Sequence, residues 1–208
     1  MKQLPMKYLT TIIALLIQFN LAAATKYVRT DGNNSNSGNA NTAGGAWLTI
    51  DYAADHVSAG DIIRVQAGTY GEAVTPSVNG SSVNNKVTII ADGSVTFRGI
   101  DLNNNSNICF VGITLDTQAA GGTKRNGCVE MSGTNTAIEF WHSTFQNANA
   151  NGIRCGVNGR LDKSLIVGNL VKDMGIGNGS GVAINLRGDD TLVYYNEITN
   201  SHPDAITM

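Results

Sequence analysis

The chain has 208 residues, a charged fraction of 14% and a formal net charge of −2. Its length suffices for one domain with a hydrophobic core. The charge balance provides no basic field, so no nucleic-acid partner is expected. The chain contains 24 glycines and 24 asparagines, which favour turns with positive φ. Aliphatic and β-branched runs recur throughout, which excludes low-complexity disorder and predicts short strands joined by tight corners.

Residues 1–24 have the three parts of a secretory signal peptide. Lys2 and Lys7 provide the positive start, residues 8–17 form an apolar stretch, and alanines 22–24 provide a cleavage site of small residues. A membrane anchor is the alternative, but the apolar stretch is short for a full span. We therefore expect a secreted, periplasmic or cell-surface protein that keeps no stable membrane span after cleavage.

Two series of similar segments recur along the chain. The first series starts at Val111, Trp141, Val167 and Tyr194, and the second aligns Ile153, Ile184 and Ile206. Successive members are 30, 26 and 27 residues apart in the first series, and 31 and 22 apart in the second. Such short strands bury a core only when equivalent strands stack, about 4.8 Å apart. The pattern predicts a parallel β-helix and fits a leucine-rich repeat or an antiparallel β-sandwich less well.

Three further features of the repeats lead to predictions. Asn169 and Asn196 occupy matching positions, so their amides are expected to stack at a corner. The three cysteines fall at apolar strand positions and are expected to be buried free thiols, with a disulfide as the alternative. The chain ends at residues 205–208 in a strand pattern without a polar cap, so we expect the domain of residues 25–208 to be a truncated part of a longer solenoid.

The start of the mature chain combines a polar loop, a helix and a strand. A helix is predicted over residues 48–57 with Thr49 as its N-cap, followed by a strand over Ile62–Val65. The segments YVRTDGNNSNSG and WLTIDYAADHVSAGDIIRVQAGTY resemble the start of the pectin-lyase-like superfamily, including family 9 polysaccharide lyases and exported β-helix repeat proteins. The resemblance implies an all-β, right-handed parallel β-helix (solenoid) whose first coil is plugged by a short N-terminal capping helix. It also implies a polysaccharide partner.

The resemblance further implies a site on the outward side of one parallel sheet. A lyase for a uronic-acid polymer must neutralise a carboxylate and remove the neighbouring proton. In the second repeat series Arg154, Asn185 and Thr207 fall at outward positions, and Arg187 follows the second of them. We expect Arg154, Arg187 and His202 to bind substrate.

Aspartates near the end of the chain are candidate ligands for Ca²⁺, which prefers clustered carboxylates. Asp189 and Asp190 follow Gly188, and Asp204 precedes the last strand pattern. We predict these three as calcium ligands, with solvated turn residues as the alternative. The several aspartates and the lysine of the family 9 lyases are not recognisable as a pattern here, so no catalytic residue is assigned.

The leading functional hypothesis is an exported polysaccharide lyase that cleaves a uronic-acid polymer by β-elimination. It depends mostly on resemblance in fold. The alternative is a non-catalytic solenoid that binds a glycan or adheres to a surface. A trimeric spike is less favoured because this chain begins with a signal-like segment.

Overall fold

A computed structural model describes residues 23–175, 181–201 and 206–208. Within these residues one helix, α1, spans Ile50–His56, and a short 3-10 helix spans Ala119–Gly121. The strands in chain order are β1 (Thr25–Val28), β2 (Ile62–Val74), β3 (Val87–Asn103), β4 (Ser106–Val111), β5 (Thr114–Asp116), β6 (Gly127–Ser132), β7 (Thr134–Trp141), β8 (Thr144–Gln146), β9 (Asn151–Cys155), β10 (Arg160–Asp162), β11 (Leu165–Val167), β12 (Leu170–Met174), β13 (Ile184–Asn185), β14 (Leu192–Tyr194), β15 (Glu197–Ser201) and β16 (Ile206–Thr207).

The strands pair in parallel and wind into a solenoid of about five turns. Successive coils build three faces, because β2 and β3 run around the corners and contribute to each face. After them the first face continues with β4, β7, β11 and β14, the second with β5, β8, β12 and β15, and the third with β6, β9, β13 and β16. The predicted parallel β-helix is therefore confirmed.

The strand register confirms both repeat series. On the first face Trp141 pairs with Val111 on one side and Val167 on the other, and Val167 pairs with Tyr194. On the third face Ile184 pairs with Ile153 and with Ile206. Side chains alternate between the inside and the outside along each strand, so equivalent residues of successive coils form columns.

The core is a continuous stack of apolar side chains inside the solenoid. Phe110 and Phe140 stack with their ring centroids 5.1 Å apart, and Phe145 meets Phe140 edge to face at 5.6 Å. All three rings are fully buried. Burial of each such side chain favours folding by about 1.5–3 kcal/mol. The core thus holds neighbouring coils in register.

The predicted asparagine ladder lies at the corner between the first and second faces. The Asn169 amide donates to Asn196 Oδ1 at 2.9 Å and to the Phe140 carbonyl at 3.0 Å. Its own oxygen accepts from the Ser143 N–H at 2.9 Å. The ladder is confirmed, and it satisfies backbone groups that the sharp corner leaves unpaired.

Helix α1 begins where two acceptors meet its free N–H groups. The Thr49 hydroxyl accepts from Tyr52 N at 3.3 Å, and the Glu72 carboxylate accepts from Ile50 N at 2.7 Å. Burial raises the pKa of Glu72, although the hydrogen bonds that its carboxylate accepts from the N–H groups of Ile50 and Asp51 oppose the shift. The helix is shorter than the predicted 48–57 and buries Ile50 and two alanines. That it plugs the end of the solenoid stays a prediction.

All three cysteines, Cys109, Cys128 and Cys155, are buried and free, so the prediction of buried thiols is confirmed. Burial raises the pKa of each thiol, that of Cys109 to about 12. Among the described residues, no helix has both the length and the apolar character needed to cross a bilayer. The predicted signal segment falls almost wholly in residues 1–22, outside the described ranges.

Candidate functional site

The outer side of the third face carries a column of polar side chains from successive coils. Each member lies between two apolar residues, which are buried for all members except the last, as in Val129-Glu130-Met131. The strand register pairs each member with the next one along the solenoid axis. The column consists of Asp101, Glu130, Arg154, Asn185 and Thr207.

Two adjoining clefts follow this column, and Arg154 lines both of them. The first has a volume of about 350 Å³ and the second about 430 Å³. Polar side chains lining the first are Thr75, Asp101, Asn103, Glu130, Ser132 and Arg154. Those lining the second are Asn126, Asn151, Arg154 and Asn185. Together the clefts form a groove across several coils, which we call the third-face groove.

Arg154 is held in place by its strand but not by a partner. Its guanidinium makes no hydrogen bond or ion pair with any described residue, although Glu130 lies directly opposite on the neighbouring strand. Glu130 instead accepts a hydrogen bond from the Gly127 N–H at 3.1 Å. A guanidinium has five N–H donors in a planar fork. The donors of Arg154 therefore remain available to a bound ligand.

Gly127 provides the space for this arrangement. A Cβ at this position would lie 3.0 Å from the Val129 carbonyl oxygen, 3.2 Å from Glu130 Cγ and 3.6 Å from Arg154 Cβ. The first two distances are tighter than ordinary contacts. A side chain here would therefore push Glu130 away from the backbone N–H and into the groove.

Asp101 differs from Glu130 because it has a cationic partner. Arg125, in the loop before β6, forms an ion pair with the Asp101 carboxylate. Both side chains are partly exposed, so solvent screens the pair and its contribution to stability is small. The pair neutralises Asp101. Among the described residues that line the groove, Glu130 and Arg154 are then the charged side chains that form no ion pair.

Arg187, the second residue predicted to bind substrate, makes different contacts from Arg154. Arg187 donates to the carbonyl oxygens of Val157 at 2.6 Å and Gly156 at 3.4 Å, so its guanidinium holds a loop. It lines neither cleft of the groove. His202 lies outside the described residues. A substrate-binding role for these residues stays a prediction.

Two of the three predicted calcium ligands, Asp189 and Asp190, lie at the corner before β14. Asp189 accepts from the Arg160 guanidinium at 2.9 Å, and its backbone N–H donates to Asp162 Oδ1 at 2.8 Å. Asp190 is exposed and has a φ of 58°. No group of three His, Cys, Asp or Glu side chains that could hold a metal ion lies within the described residues. Asp204 is outside those residues, and calcium binding stays a prediction.

Sequence reasoning missed Asp101 and Glu130, and it did not predict that Arg125 pairs with Asp101. The first two had a signal, because Ile100-Asp101-Leu102 and Val129-Glu130-Met131 match the apolar-polar-apolar pattern of Ile153-Arg154-Cys155. Arg125 had none, since it reaches Asp101 from a loop 24 residues further along the chain.

Comparisons with known proteins identify the fold. No protein-family profile matches the sequence, and no curated protein does. A rhamnogalacturonan lyase structure superposes with a TM-score of 0.64 and 13% identity over 85% of this chain and 51% of its own. The pectate lyase Pel9A superposes with a TM-score of 0.61 and 14% identity over 86% of this chain and 47% of its own. This chain thus spans about half the length of these proteins and shares the pectin-lyase-like parallel β-helix fold with them.

Proposed function

We propose that this chain binds an acidic polysaccharide along the third-face groove, with Arg154 as the contact for a uronate carboxylate. The observation that carries the proposal is the position of Arg154 at the junction of two clefts without a partner among the described residues. The guanidinium is partly exposed and its donors are unpaired, and a carboxylate matches its fork in two parallel hydrogen bonds.

The shape of the groove suits an extended polymer. It follows the solenoid axis, and each coil adds one more outward side chain about 4.8 Å further along. Asn103 and Ser132 line the first cleft and Asn185 the second, where they offer donors and acceptors for sugar hydroxyls. A chain of sugars can therefore contact several coils at once.

We further propose that the protein is a polysaccharide lyase. In β-elimination a base removes the proton on the carbon beside the uronate carboxylate, a carbon–carbon double bond forms, and the glycosidic oxygen leaves with the electrons of the broken bond. Arg154 would stabilise the negative charge that develops on the carboxylate. The fold shared with two lyases supports this step, and no described residue is assigned as the base.

Glycan binding without cleavage is the second candidate. It is favoured by the residues lining the groove, which include no lysine among those described. Under this alternative Arg154 has the same contact with the carboxylate but accelerates no reaction.

The first experiment measures binding of polygalacturonate by calorimetry to the full chain and to Arg154→Met. We expect the dissociation constant to rise about 10- to 100-fold, the range for loss of a hydrogen-bonded charge pair. Arg29→Met is the matched control, since it removes an arginine of the N-terminal loop that pairs only with exposed groups. Equal affinity of Arg154→Met and the unmodified chain would overturn the proposed site.

The second experiment follows the same polymer for cleavage. Ultraviolet absorbance of an unsaturated uronate product would support the lyase, and its loss in Arg154→Met would place the reaction in the groove. New reducing ends without that absorbance would indicate hydrolysis, for which Asp101 and Glu130 offer paired carboxylates. Binding without either product would support the non-catalytic alternative.

Export is part of the proposed function. The positive start, apolar stretch and alanine-rich site of residues 1–24 support it. N-terminal sequencing of the protein recovered outside the cytoplasm should begin at Thr25. Recovery of chains that begin at Met1 in a membrane fraction would favour the anchor instead.

A further inference from the structure

The outer side of the first face is apolar over its last coils, unlike the third-face groove. Its outward residues form two columns that follow the strand register. One column contains Val111, Trp141, Val167 and Tyr194, and the other contains Leu165 and Leu192. Leu192, Tyr194 and Tyr195 are 63%, 56% and 78% exposed. Apolar groups gathered on one outward face indicate a binding surface.

A cleft of about 590 Å³ lies on this surface. The residues that line it are Trp141, Leu165, Val167, Leu192, Val193, Tyr194 and Tyr195. None of the described residues that line it is charged. We call it the first-face aromatic cleft. Its size is within the range of small-ligand sites, and its walls favour an uncharged occupant.

The aromatic side chains of the cleft are held by a hydrogen bond and by ring contacts. The Trp141 indole donates to Glu139 Oε2 at 3.1 Å, and the other Glu139 oxygen lies 3.3 Å from Lys86 Nζ. The rings of Tyr194 and Tyr195 lie 3.9 Å apart. A hydrogen bond between the two hydroxyls raises the pKa of Tyr194.

Tyr195 also has an unusual backbone conformation. Its φ of 53° places it in the left-handed region, which is unfavourable for a bulky side chain. The residues at the same corner of the preceding coils, Gly112, His142 and Gly168, have φ values of 69°, 49° and 65°, so the conformation belongs to the corner of each coil. Here it places the Tyr195 ring beside Tyr194 at the edge of the cleft.

We propose that the first-face aromatic cleft is a second glycan site, which binds an uncharged β-linked stretch of polysaccharide by stacking sugar rings on Trp141 and Tyr194. These residues occupy the same column two coils apart, a separation of about 10 Å along the axis, similar to the length of a disaccharide unit. Tryptophan and tyrosine provide rigid contact area at low cost in conformational entropy, and the tyrosine hydroxyls supply hydrogen bonds at the rim. The proposal concerns a different face from Arg154 and does not depend on it.

Calorimetric titration with cellotetraose and xylotetraose, two neutral β-1,4-linked oligosaccharides, tests this site in the full chain. We expect binding, a change in tryptophan fluorescence, and about a 10-fold loss of affinity in Trp141→Ala and in Tyr194→Ala. Tyr27→Ala is the matched control, because Tyr27 lies in the same column at the far end of the face. Arg154→Met should leave this binding unchanged, so failure of this site and failure of the groove are distinguishable.

Three outcomes would overturn the proposal. One is that neither oligosaccharide binds, and another is that both bind equally well to a Trp141→Ala, Tyr194→Ala double variant. The third is a dimer, detected by sedimentation at micromolar concentration, that dissociates in Trp141→Ala and would make the cleft an interface between copies of this chain. Circular dichroism and thermal melting of each variant show that it is folded when it is titrated.

Discussion

The third-face groove and the first-face aromatic cleft are built on the same solenoid, but the groove is polar and the cleft is apolar. Behind both, inward residues such as Ile153 and Phe140 are fully buried. Outside, the groove has carboxylate, guanidinium and amide groups, whereas the cleft has aromatic and aliphatic ones. The inward half of the alternating pattern specifies the fold and the outward half is free to specify ligands.

The two surfaces also differ in how the central side chain is held. Arg154 has no partner among the described residues because Glu130 bonds to the backbone. Trp141 is tied to Glu139, which Lys86 neutralises. The unpaired guanidinium of Arg154 suits the carboxylates of an acidic polymer, and the hydrogen-bonded indole of Trp141 suits stacking on a sugar ring. The comparison predicts that changes inside the solenoid affect both surfaces, while outward changes affect one.

The largest effect is expected from Phe140→Ala. Phe140 is fully buried, stacks on Phe110 and meets Phe145 edge to face. Removing the ring leaves a cavity and should lower the free energy of unfolding by about 3–5 kcal/mol, measured by urea denaturation. Both surfaces should lose binding in proportion to the unfolded fraction. Val157→Ala, at an 82% exposed position, is the control. A loss below about 1 kcal/mol would show that the core is not packed as described.

A smaller effect is expected from Asn169→Leu at the corner. The substitution keeps a similar volume but leaves the Ser143 N–H and the Phe140 carbonyl without their partner. Burying unpaired groups should lower the free energy of unfolding by about 2–4 kcal/mol. Asn84→Leu, at an exposed position, should change it little. Because the corner borders the first face, cellotetraose binding should weaken more than polygalacturonate binding. Equal weakening of both would contradict this assignment.

Salt should separate the two surfaces. Polygalacturonate binding at Arg154 is electrostatic, so raising ionic strength from 0.01 M to 0.5 M should weaken it about 10-fold, equivalent to about 1.4 kcal/mol. Cellotetraose binding in the first-face aromatic cleft should change less than about twofold, since its walls are uncharged. Calorimetry on the same preparation measures both. Parallel salt dependence would mean that one surface binds both ligands.

Much of the fold was predictable because apolar residues recur at the spacing of the coils. The columns through Trp141 and Ile184 followed from spacing alone. The earlier coils were not predicted in the same way, because β2 and β3 run continuously around corners with register shifts and hide the repeat. Coil length also changes there. Phe97 pairs with Leu115, 18 residues later, whereas Leu115 pairs with Phe145, 30 residues later.

The candidate site was less predictable because outward side chains are fixed by distant partners. Arg154 was found from its alternation, but nothing local shows that Glu130 bonds to Gly127 and leaves it unpaired. Likewise, the carboxylate of Asp189 pairs with Arg160, 29 residues earlier in the chain. A run of acidic residues in sequence therefore does not reveal whether its charges are free to bind a metal.

The smallest effect concerns the thiol of Cys109, which lies in the same column as Leu165, two coils before it. Cys109 is buried next to Glu139, and burial, together with that carboxylate, raises the pKa of the thiol to about 12. The unfolded thiol loses its proton near pH 9 while the folded one keeps it, so the unfolded state binds fewer protons and stability falls as pH rises from 9 towards 12. The free energy of unfolding should fall by about 1 kcal/mol from this thiol between pH 8 and pH 10. Denaturation of Cys109→Ala at both pH values should show a correspondingly smaller fall. An identical fall in the variant would mean that this thiol ionises as freely in the folded protein as in the unfolded chain.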